Sequence, residues 1–442
     1  MIKHAEGDKL YNFAKNVLVA GCSASGRWNS ALKRPFYIKK GKGSHLMDLD
    51  GNEFIDMDCS HGASIFGHGH PVIMKAIKKA LEIGIICSYE TKYQSELAEK
   101  ICKIVPAAEL CRFTCSGTEA TMHAIRLARE FTGKDLIIKF EGHFHGFYDY
   151  VHYSWAPSLK EAGPYENPNA VPFSGGIPKG IEKYIKVLPF NNLEILEKTI
   201  KENKDKLAAV ILEPINYNMG CIIPDKVYIK AMRELTKEND IILIFDEILS
   251  AFRMGPGCAQ EYLEVTPDLC TIGKCVAGGT PLSIITGKKE IMEHFKPIGK
   301  TTHSGTYTGH SISVMAANAA MDEIVKPYFY KHIYKLADKL YGGLKEIFSK
   351  SKLNIKIQGL GARFGLYFNV KKDIIKEYRD IADEDTEMNL KFHELMLKRN
   401  VYFNDYGGKP SHKGFSIQHT LEDIDEVLNR TEDAVKNLEK IY

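Results

Sequence analysis

Short apolar strands interspersed with amphipathic helices are the feature that most restricts the fold of this 442-residue chain. The strands read as nearly continuous apolar runs: "RFTCSG", "LIIKFEG", "LAAVILEP", "IILIFDE", "DLCTIGK" and "LSIITG". Helix-period segments such as "TEATMHAIRLAREFTG" and "DKVYIKAMRELTKEND" lie among them. Buried strands with helices between them indicate a mostly parallel sheet that helices cover on both faces, so we predict an α/β fold.

The chain is too long for one small core, and its pattern changes twice. Residues 1–70 hold short strand-like pieces around the turn signal "DLDGNEF", and a helix pattern begins at Pro71. After Tyr328 a long helix pattern introduces a different arrangement. We therefore predict a large domain, 71–327, and a smaller α+β domain, 328–442, which the N-terminal segment 1–70 joins.

Composition and charge argue against several classes of protein. The formal net charge is +3, which gives no indication of a nucleic-acid-binding surface. The ten cysteines form no C-x-x-C pair, so we expect reduced thiols in a cytoplasmic protein rather than a zinc ribbon. The N-terminal residues do not read as a signal peptide, and no apolar run approaches the ~20 residues of a membrane span.

Polar residues gather where the predicted strands end, which is where open α/β sheets bind ligands. Ser116, Gly117 and Thr118 follow one strand and open a helix. The free N–H groups and the dipole of a helix N-terminus suit a phosphate, and two hydroxyls add donors. An ordinary N-cap completed by Glu119 explains the same residues equally well.

Two further strand ends carry a carboxylate and an amine. Asp246 either caps the next turn or holds a cationic ligand nitrogen, while Glu247 is expected to bond to the loop. Lys274 lies among small apolar residues, which should lower its pKa and make it a nucleophile, although a surface lysine is the commoner case. A phosphate site, a buried carboxylate and an amine at one sheet edge match pyridoxal 5'-phosphate (PLP).

Several motifs, in order, resemble the class III PLP-dependent aminotransferases of fold type I. They are "FIDMDCSHGASIFGHGHP", "CSGTEATMHAIRLAREFTGKDLIIKFEGHFHG", "AAVILEPINYNMGC", "LIFDEILSAFR", "TPDLCTIGK" and "HSGTYTG". The subgroup with the greatest resemblance comprises glutamate-1-semialdehyde 2,1-aminomutase and similar β-amino-acid transaminases. The resemblance covers most of the chain and implies PLP as the cofactor.

The resemblance assigns roles to named residues. Lys274 would form the Schiff base and shuttle the proton, and Asp246 would pair with the pyridine nitrogen. Thr306 would reach the phosphate held by the neighbouring subunit, which implies a homodimer with its active site at the interface. Asn218 would contact the ring hydroxyl, as in the aminomutase subgroup. The other implied cofactor contacts are the phosphate ligands Ser116, Gly117 and Thr118, the ring-stacking Phe144 and Ile248, and His145 and Glu213.

Two cations are candidate ligands for a substrate carboxylate. Arg27, in "GCSASGRW", aligns with a carboxylate-binding arginine of the family, and a guanidinium provides a bidentate fork; a surface arginine is an equal alternative. Lys413 precedes "GF", where some β-amino-acid transaminases have an arginine. The histidines of "GHGHP" and "GHFHG" could suggest a metal, but no carboxylate cluster accompanies them, so we expect none.

The motifs leave the reaction open among transamination, aminomutase chemistry and racemisation. An aminomutase moves the amine within one substrate through a diamine that must not escape, which requires a lid. The chain departs from the true aminomutase in its N-terminal run "SASGRWN", in its longer polar loop at about 155–180 and in "NDYGGKPSHKGF" near the C-terminus. We therefore expect transamination between an amino acid and an oxo acid, with aminomutase or racemase chemistry as the alternatives.

Overall fold

The computed structural model describes residues 5–442. Its helices are α1 Ala5–Ala14, α2 Pro71–Glu82, α3 Lys92–Ile104, α4 Gly117–Thr132, α5 Leu159–Ala162, α6 Leu193–Asn203, α7 Lys226–Glu238, α8 Cys258–Leu263, α9 Lys289–Met292, α10 Ser311–Ile324, α11 Pro327–Lys350, α12 Thr386–Leu397 and α13 Leu421–Leu438. Its strands are β1 Trp28–Asn29, β2 Arg34–Pro35, β3 Ile38–Lys42, β4 His45–Asp48, β5 Glu53–Asp56, β6 Leu110–Thr114, β7 Leu136–Phe140, β8 Ile185–Leu188, β9 Leu207–Leu212, β10 Ile242–Glu247, β11 Leu269–Ile272, β12 Ser283–Gly287, β13 Ile355–Leu360, β14 Arg363–Phe368, β15 Val401–Tyr402 and β16 His412–Gly414.

A seven-stranded sheet forms the centre of the larger part of the chain. Its strand order is β6-β12-β11-β10-β9-β7-β8. The pairs from β11 to β8 are all parallel, whereas β12 runs antiparallel to both of its neighbours. The predicted α/β fold with a mostly parallel sheet is therefore confirmed, and its one reversed strand is β12. An apolar run such as "LSIITG" does not reveal strand direction.

The sequence pattern did not identify β8 of this sheet, and α5 is among the helices that it did not identify. β8 lies at the sheet edge beyond β7, and its four residues are too few to show a period. α5 lies inside the segment 155–180 that was expected to be a plain loop. Its N-cap Ser158 and Glu161 form a capping box, which is the sequence signal that could have located it.

Two compact units divide the chain. One contains the residues up to His70 together with Lys331–Ile374 and Glu384–Tyr442, and the other contains Pro71–Tyr330 and Ile375–Asp383. The expected boundary at 70/71 coincides with this division. The expected smaller domain 328–442 differs from it, because the division falls inside α11 and the segment Ile375–Asp383 belongs to the larger unit.

The smaller unit contains three small sheets. They have the orders β15-β5-β4-β3, β13-β14-β16 and β1-β2. The turn signal "DLDGNEF" connects β4 to β5, which pair antiparallel as the hairpin pattern predicts. In the larger unit α4 packs its apolar face on the sheet, where Ala124, Ile125 and Leu127 join a buried cluster. Within residues 5–442, no helix is long and apolar enough to cross a membrane.

Candidate active site

Five strands of the large sheet end at one edge and bring their following residues together. β7, β9, β10 and β11 are parallel, and β6 shares their direction because both β6 and β11 oppose β12. The carboxyl ends of parallel strands meet at the same sheet edge. The polar residues at or just after these ends are Ser116, His145, Glu213, Asp246 and Lys274.

Asp246 lies at the end of β10 with 3% of its surface exposed. Its Oδ2 accepts a hydrogen bond from His145 Nδ1 at 2.7 Å, and its Oδ1 accepts from Thr271 Oγ1 at 3.0 Å and from the Ile248 N–H at 3.1 Å. Burial lowers the pKa of His145. Its other ring nitrogen, Nε2, is buried and has no hydrogen-bond partner within the protein. Hydrogen bonds to both of its oxygens thus fix the orientation of the Asp246 carboxylate.

Glu213 provides a second buried carboxyl beside Asp246. Its Oε1 accepts from the Phe144 N–H and its Oε2 from Asn218 Nδ2, both at 2.8 Å. Burial and, to a lesser extent, the charge of Asp246 raise the pKa of Glu213 to about 8, although its hydrogen bonds and the charge of Lys274 act in the opposite direction. Glu213 therefore carries a proton at neutral pH, and it lies within electrostatic range of Lys274.

Ile248 connects the two loops that hold the phosphate candidates and the lysine. A Cβ on Gly117 would lie 3.0 Å from Ile248 Cγ2, and a Cβ on Gly273 would lie 2.9 Å from Ile248 Cδ1. Both positions therefore require glycine for this close approach. Through Ile248 the structure brings Gly117, at the start of α4, close to the residue that precedes Lys274.

The N-terminus of α4 has the construction of an anion site. Ser116 is the N-cap, and its hydroxyl accepts a hydrogen bond from the Glu119 N–H at 3.3 Å. Thr118 Oγ1 accepts from the Phe147 N–H at 3.2 Å. The capping role expected as the alternative for Ser116 is therefore present. The positive dipole end of this 16-residue helix and the N–H groups of Gly117 and Thr118 suit a phosphate.

Lys274 occupies a strained backbone position. Its φ is +47°, in the left-handed region, which costs a residue with a Cβ about 1–2 kcal/mol. It begins a short 3₁₀ helix, Lys274–Ala277, immediately after Gly273. Strain of this kind clusters at functional sites, where the surrounding structure enforces it.

Glu247, the neighbour of Asp246, has a structural role. It accepts hydrogen bonds from the Ala259 N–H at 2.7 Å, from Gln260 Nε2 at 3.0 Å and from Ser250 Oγ at 3.1 Å. Burial raises its pKa to about 7. The expectation that Glu247 bonds to the loop is confirmed. The two adjacent carboxyl groups, Asp246 and Glu247, therefore offset the cost of their burial with different hydrogen-bond donors.

Arg379 is a positioning residue that the sequence did not reveal. Its Nε and Nη2 form a bidentate pair with Glu141 at 2.8 and 3.0 Å, and its Nη1 donates to the Gly163 carbonyl at 3.0 Å. The neighbouring Tyr378 donates its hydroxyl to the Pro157 carbonyl at 2.5 Å. The segment Ile375–Asp383 thereby ties the loop after residue 155 to the strand end that leads to His145. No local signal marks Arg379, because its partner lies 238 residues away.

The remaining predicted residues lie at varied depths. Phe144 is half-buried and its ring contacts the ring of Trp155. Thr306 is exposed, and its carbonyl accepts from Ser88 Oγ at 3.0 Å. In the smaller unit, Arg27 is exposed and bonded to Ser23 Oγ.

Lys413, also in the smaller unit, is 2% exposed and donates to Ser411 Oγ at 2.6 Å. Burial lowers the pKa of Lys413 to about 8, although Glu384 and other carboxylates act in the opposite direction. The ammonium of Lys413 is therefore already hydrogen-bonded within the protein, to Ser411. Its proposed role towards a substrate carboxylate stays a prediction.

The histidines considered as metal ligands have other partners. His68 Nε2 bonds to Asp56 Oδ2 at 2.7 Å in the smaller unit, and His143 Nδ1 accepts from the Glu213 N–H at 3.0 Å in the larger one. Across residues 5–442, no group of three or more His, Cys, Asp or Glu side chains is arranged to hold a metal ion.

The residues at the sheet edge fit PLP. Asp246 supplies a fixed buried carboxylate for a ring nitrogen, and the start of α4 supplies N–H groups for a phosphate. The buried, unpartnered Nε2 of His145 is a polar atom that a bound group would satisfy. Lys274 supplies the amine, within electrostatic range of Glu213.

Comparison with known proteins supports this fit. The family model for aminotransferase class-III matches residues 28–398. Glutamate-1-semialdehyde 2,1-aminomutase from Methanocaldococcus jannaschii is 38% identical over 99% of this chain and 100% of its own length. An omega-transaminase from Sphaerobacter thermophilus has a TM-score of 0.91 at 29% identity, covering 98% of this chain and 97% of its own. A transaminase with PLP bound has a TM-score of 0.90 at 26% identity, covering 100% and 99%.

These matches extend over nearly the whole chain and confirm both the fold and the cofactor. The fold is that of the PLP-dependent transaminases and aminomutases, and the cofactor of this enzyme is PLP. The chain belongs to the aminotransferase class-III family.

Proposed function

We propose that this enzyme moves an amino group between adjacent carbons of one substrate, with glutamate 1-semialdehyde as the first candidate. The observation that carries the proposal is the 38% identity to a named glutamate-1-semialdehyde 2,1-aminomutase along the full length of both chains. Two further relatives with the same name are also 38% identical, over 99% of this chain. These relatives favour the expected alternative over transamination between two substrates.

When bound, PLP supplies an electron sink for the carbon that loses its proton. Lys274 would hold the cofactor aldehyde, and its amine would accept and return the proton of the reacting substrate carbon. Asp246 would pair with the ring nitrogen and keep it protonated, and Thr271 and the Ile248 N–H keep that carboxylate aligned. Since Asp246 is buried and accepts from both sides, its alignment requires no rearrangement when the reaction begins.

Glu213 and Asn218 are proposed to set the hydrogen bonding around the ring. With a pKa raised to about 8, Glu213 carries a proton at neutral pH and brings no second negative charge close to Asp246. The Asn218 amide is held by Glu213 Oε2, so its carbonyl oxygen and second N–H remain oriented for another group. The proposed ring contacts are completed by Phe144, His145 and Ile248, and the phosphate contacts by Ser116, Gly117 and Thr118.

We propose a homodimer in which Thr306 reaches the phosphate bound by the partner chain. The support is the exposure of Thr306 together with large exposed apolar side chains on neighbouring segments: Tyr307 is 64% exposed, Tyr89 77% and Ile85 65%. Ser88 fixes the Thr306 backbone. An apolar surface around a polar ligand residue suits an interface between subunits. The cytoplasmic location stays a prediction.

Arg27 remains the proposed ligand of the substrate carboxylate, since its guanidinium is exposed and can form a bidentate pair. Lys413 is a weaker candidate because its ammonium is buried and bonded to Ser411. Either cation suits an acidic substrate such as glutamate 1-semialdehyde.

Transamination is the second candidate function. It is favoured by the omega-transaminase from Sphaerobacter thermophilus, which matches nearly the whole fold at 29% identity. The sequence "NDYGGKPSHKGF" also departs from the aminomutase pattern near the C-terminus. Both functions use Lys274 and Asp246 in the same roles, so the substrate decides between them.

Incubation of the holoenzyme with glutamate 1-semialdehyde and no acceptor tests the proposal. We expect conversion to the isomer with its amino group on carbon 1, with no product that has lost its nitrogen. Release of a product whose amino group has been replaced by an oxo group, in an amount equal to the enzyme, and continued turnover only after an oxo acid is added, would establish transamination instead. Racemised substrate as the sole product would establish the third chemistry.

A further inference from the structure

Two cysteines outside the cofactor site face each other in the larger unit. Cys102 lies in the last turn of α3 and Cys111 lies in β6, which is an edge strand of the seven-stranded sheet. Their sulfur atoms are 3.9 Å apart. Both residues are half-buried rather than sealed in the core, and both are free thiols.

The local contacts make the two thiols unequal. The pKa of Cys102 is lowered to about 7, chiefly by its hydrogen bond with Cys111. The pKa of Cys111 is raised, first by that same interaction and then by burial. Cys111 also contacts Thr286 Oγ1 on the neighbouring strand at 3.5 Å. Cys102 is therefore the more acidic thiol and the better nucleophile of the two, and Cys111 is the thiol held next to it.

We propose that Cys102 and Cys111 form a redox-active pair that closes to a reversible disulfide when it meets a peroxide. The separation of their sulfur atoms has to shorten from 3.9 Å to about 2.05 Å, the length of a disulfide bond.

The chemistry balances with hydrogen peroxide as the two-electron oxidant. The Cys102 thiolate attacks one peroxide oxygen, the O–O bond breaks, and protonation of the leaving hydroxide gives water and a sulfenic acid. The sulfur of Cys111 then attacks the Cys102 sulfur, forming the S–S bond and releasing a second water as the Cys111 proton joins the leaving hydroxyl. Overall two thiols and one peroxide yield one disulfide and two waters, and a dithiol reductant reverses the oxidation.

The disulfide would join two elements that lead to the cofactor site. β6 runs directly into Ser116 at the start of α4. Gln94 in the first turn of α3 donates to the Gly309 carbonyl at 2.9 Å, and Gly309 is close in sequence to Thr306. Oxidation of the pair would therefore constrain β6 and α3, which lead to the cofactor site, although neither cysteine is itself a proposed ligand of PLP.

Tryptic peptides offer a direct test. Cleavage after Lys100, Lys103 and Arg112 separates the peptides "ICK" and "IVPAAELCR", each with one cysteine. After holoenzyme is treated with a small excess of hydrogen peroxide and alkylated without reduction, we expect these peptides to remain joined, with a mass two hydrogen atoms below their sum. Dithiothreitol should separate them.

Matched variants make the test specific. Cys102→Ser and Cys111→Ser should each abolish the joined peptide, while Cys115→Ser, a half-buried thiol on the loop after β6, should retain it. In Cys111→Ala, which leaves no hydrogen-bonding group at this position, alkylation of Cys102 by iodoacetamide at pH 7 should slow several-fold, because the group that stabilises its thiolate is gone. Recovery of both peptides separately alkylated after oxidation of the wild-type enzyme would overturn the proposal, as would cross-links to other cysteines at equal yield.

Discussion

Both units of the molecule bury ionisable side chains, but the hydrogen bonding of these buried groups differs between the two units. At the sheet edge of the larger unit, both oxygens of Asp246 accept hydrogen bonds from fixed donors. In the smaller unit, Glu384 has one oxygen bonded to Asn389 while the other is buried without a hydrogen-bond partner. Near it, Nε2 of His393 is also buried and unpartnered.

The difference separates a preorganised site from a buried polar cluster. The donors around Asp246 hold its charged form in one orientation, as a site that stabilises a positive ring needs. Around Glu384, burial raises its pKa to about 8 and lowers the pKa of Lys413 to about 8. In the smaller unit, burial thus favours the neutral forms of Glu384 and Lys413. We expect substitutions of these residues to change the stability of the protein more than its catalytic rate.

The largest effect is expected for Lys274→Ala. Removal of the amine proposed to carry the proton should lower turnover by at least about 10²–10⁴-fold, the usual contribution of a positioned proton-transfer group. Steady-state rates with saturating PLP measure it. Lys289→Ala, which removes an exposed lysine, is the control and should retain the wild-type rate. Near-wild-type turnover of Lys274→Ala would remove the lysine from the mechanism.

Adjacent carboxylates provide the next comparison. Asp246→Asn should slow proton removal by a few orders of magnitude, because an amide cannot keep the ring nitrogen protonated. Glu247→Gln should instead lower the free energy of unfolding by about 1–3 kcal/mol, since its new N–H₂ group must face a donor in either orientation, the Gln260 amide at the position of Oε1 or the Ala259 N–H at that of Oε2. Single-turnover rates and urea unfolding distinguish them. An equal loss of rate in both variants would contradict the assignment of a catalytic role to Asp246 and a structural role to Glu247.

Arg379→Met tests the connection between the loop after residue 155 and the site. Glu141 is 1% exposed, so loss of its bidentate partner should cost about 3–5 kcal/mol of folding free energy. Lys376→Met, which breaks an exposed pair with Asp225, should cost about 0–1 kcal/mol. Urea unfolding measures both. Amide hydrogen exchange of residues 155–165 should become faster only in Arg379→Met. Unchanged exchange in that variant would show that Arg379 does not hold this loop in place.

Glu384→Gln should have the smallest effect on activity and a pH-dependent effect on stability. The folded-state pKa of Glu384, about 8, lies above its ordinary value of 4.5, so the folded state binds the proton more tightly. Its contribution is fully present below about pH 4.5 and is lost as pH rises towards 8. The variant lacks this titration, so its stability relative to wild type should rise between pH 5 and pH 8 by a few kcal/mol, at about 1.4 kcal/mol per pKa unit. A pH-independent difference in urea unfolding would contradict the shift.

The sequence was most informative where local pattern and chemistry coincide. Apolar runs predicted the parallel strands, and the residues that end them included Asp246 and Lys274. Strand direction is a property of sheet pairing, so β12 was not recognised as antiparallel. Arg379 and Glu384 were missed because burial and distant partners, not local motifs, define their roles. The unequal compensation of Asp246 and Glu247 also became visible only with their donors in place.

Borohydride reduction of the holoenzyme tests the central claim most directly. Reduction makes the bond between the cofactor and its lysine permanent, and peptide mass spectrometry then locates it. We predict one cofactor-derived mass per chain, on the peptide that contains Lys274, and its disappearance in Lys274→Ala. A label on another lysine, or none in protein saturated with PLP, would contradict the account.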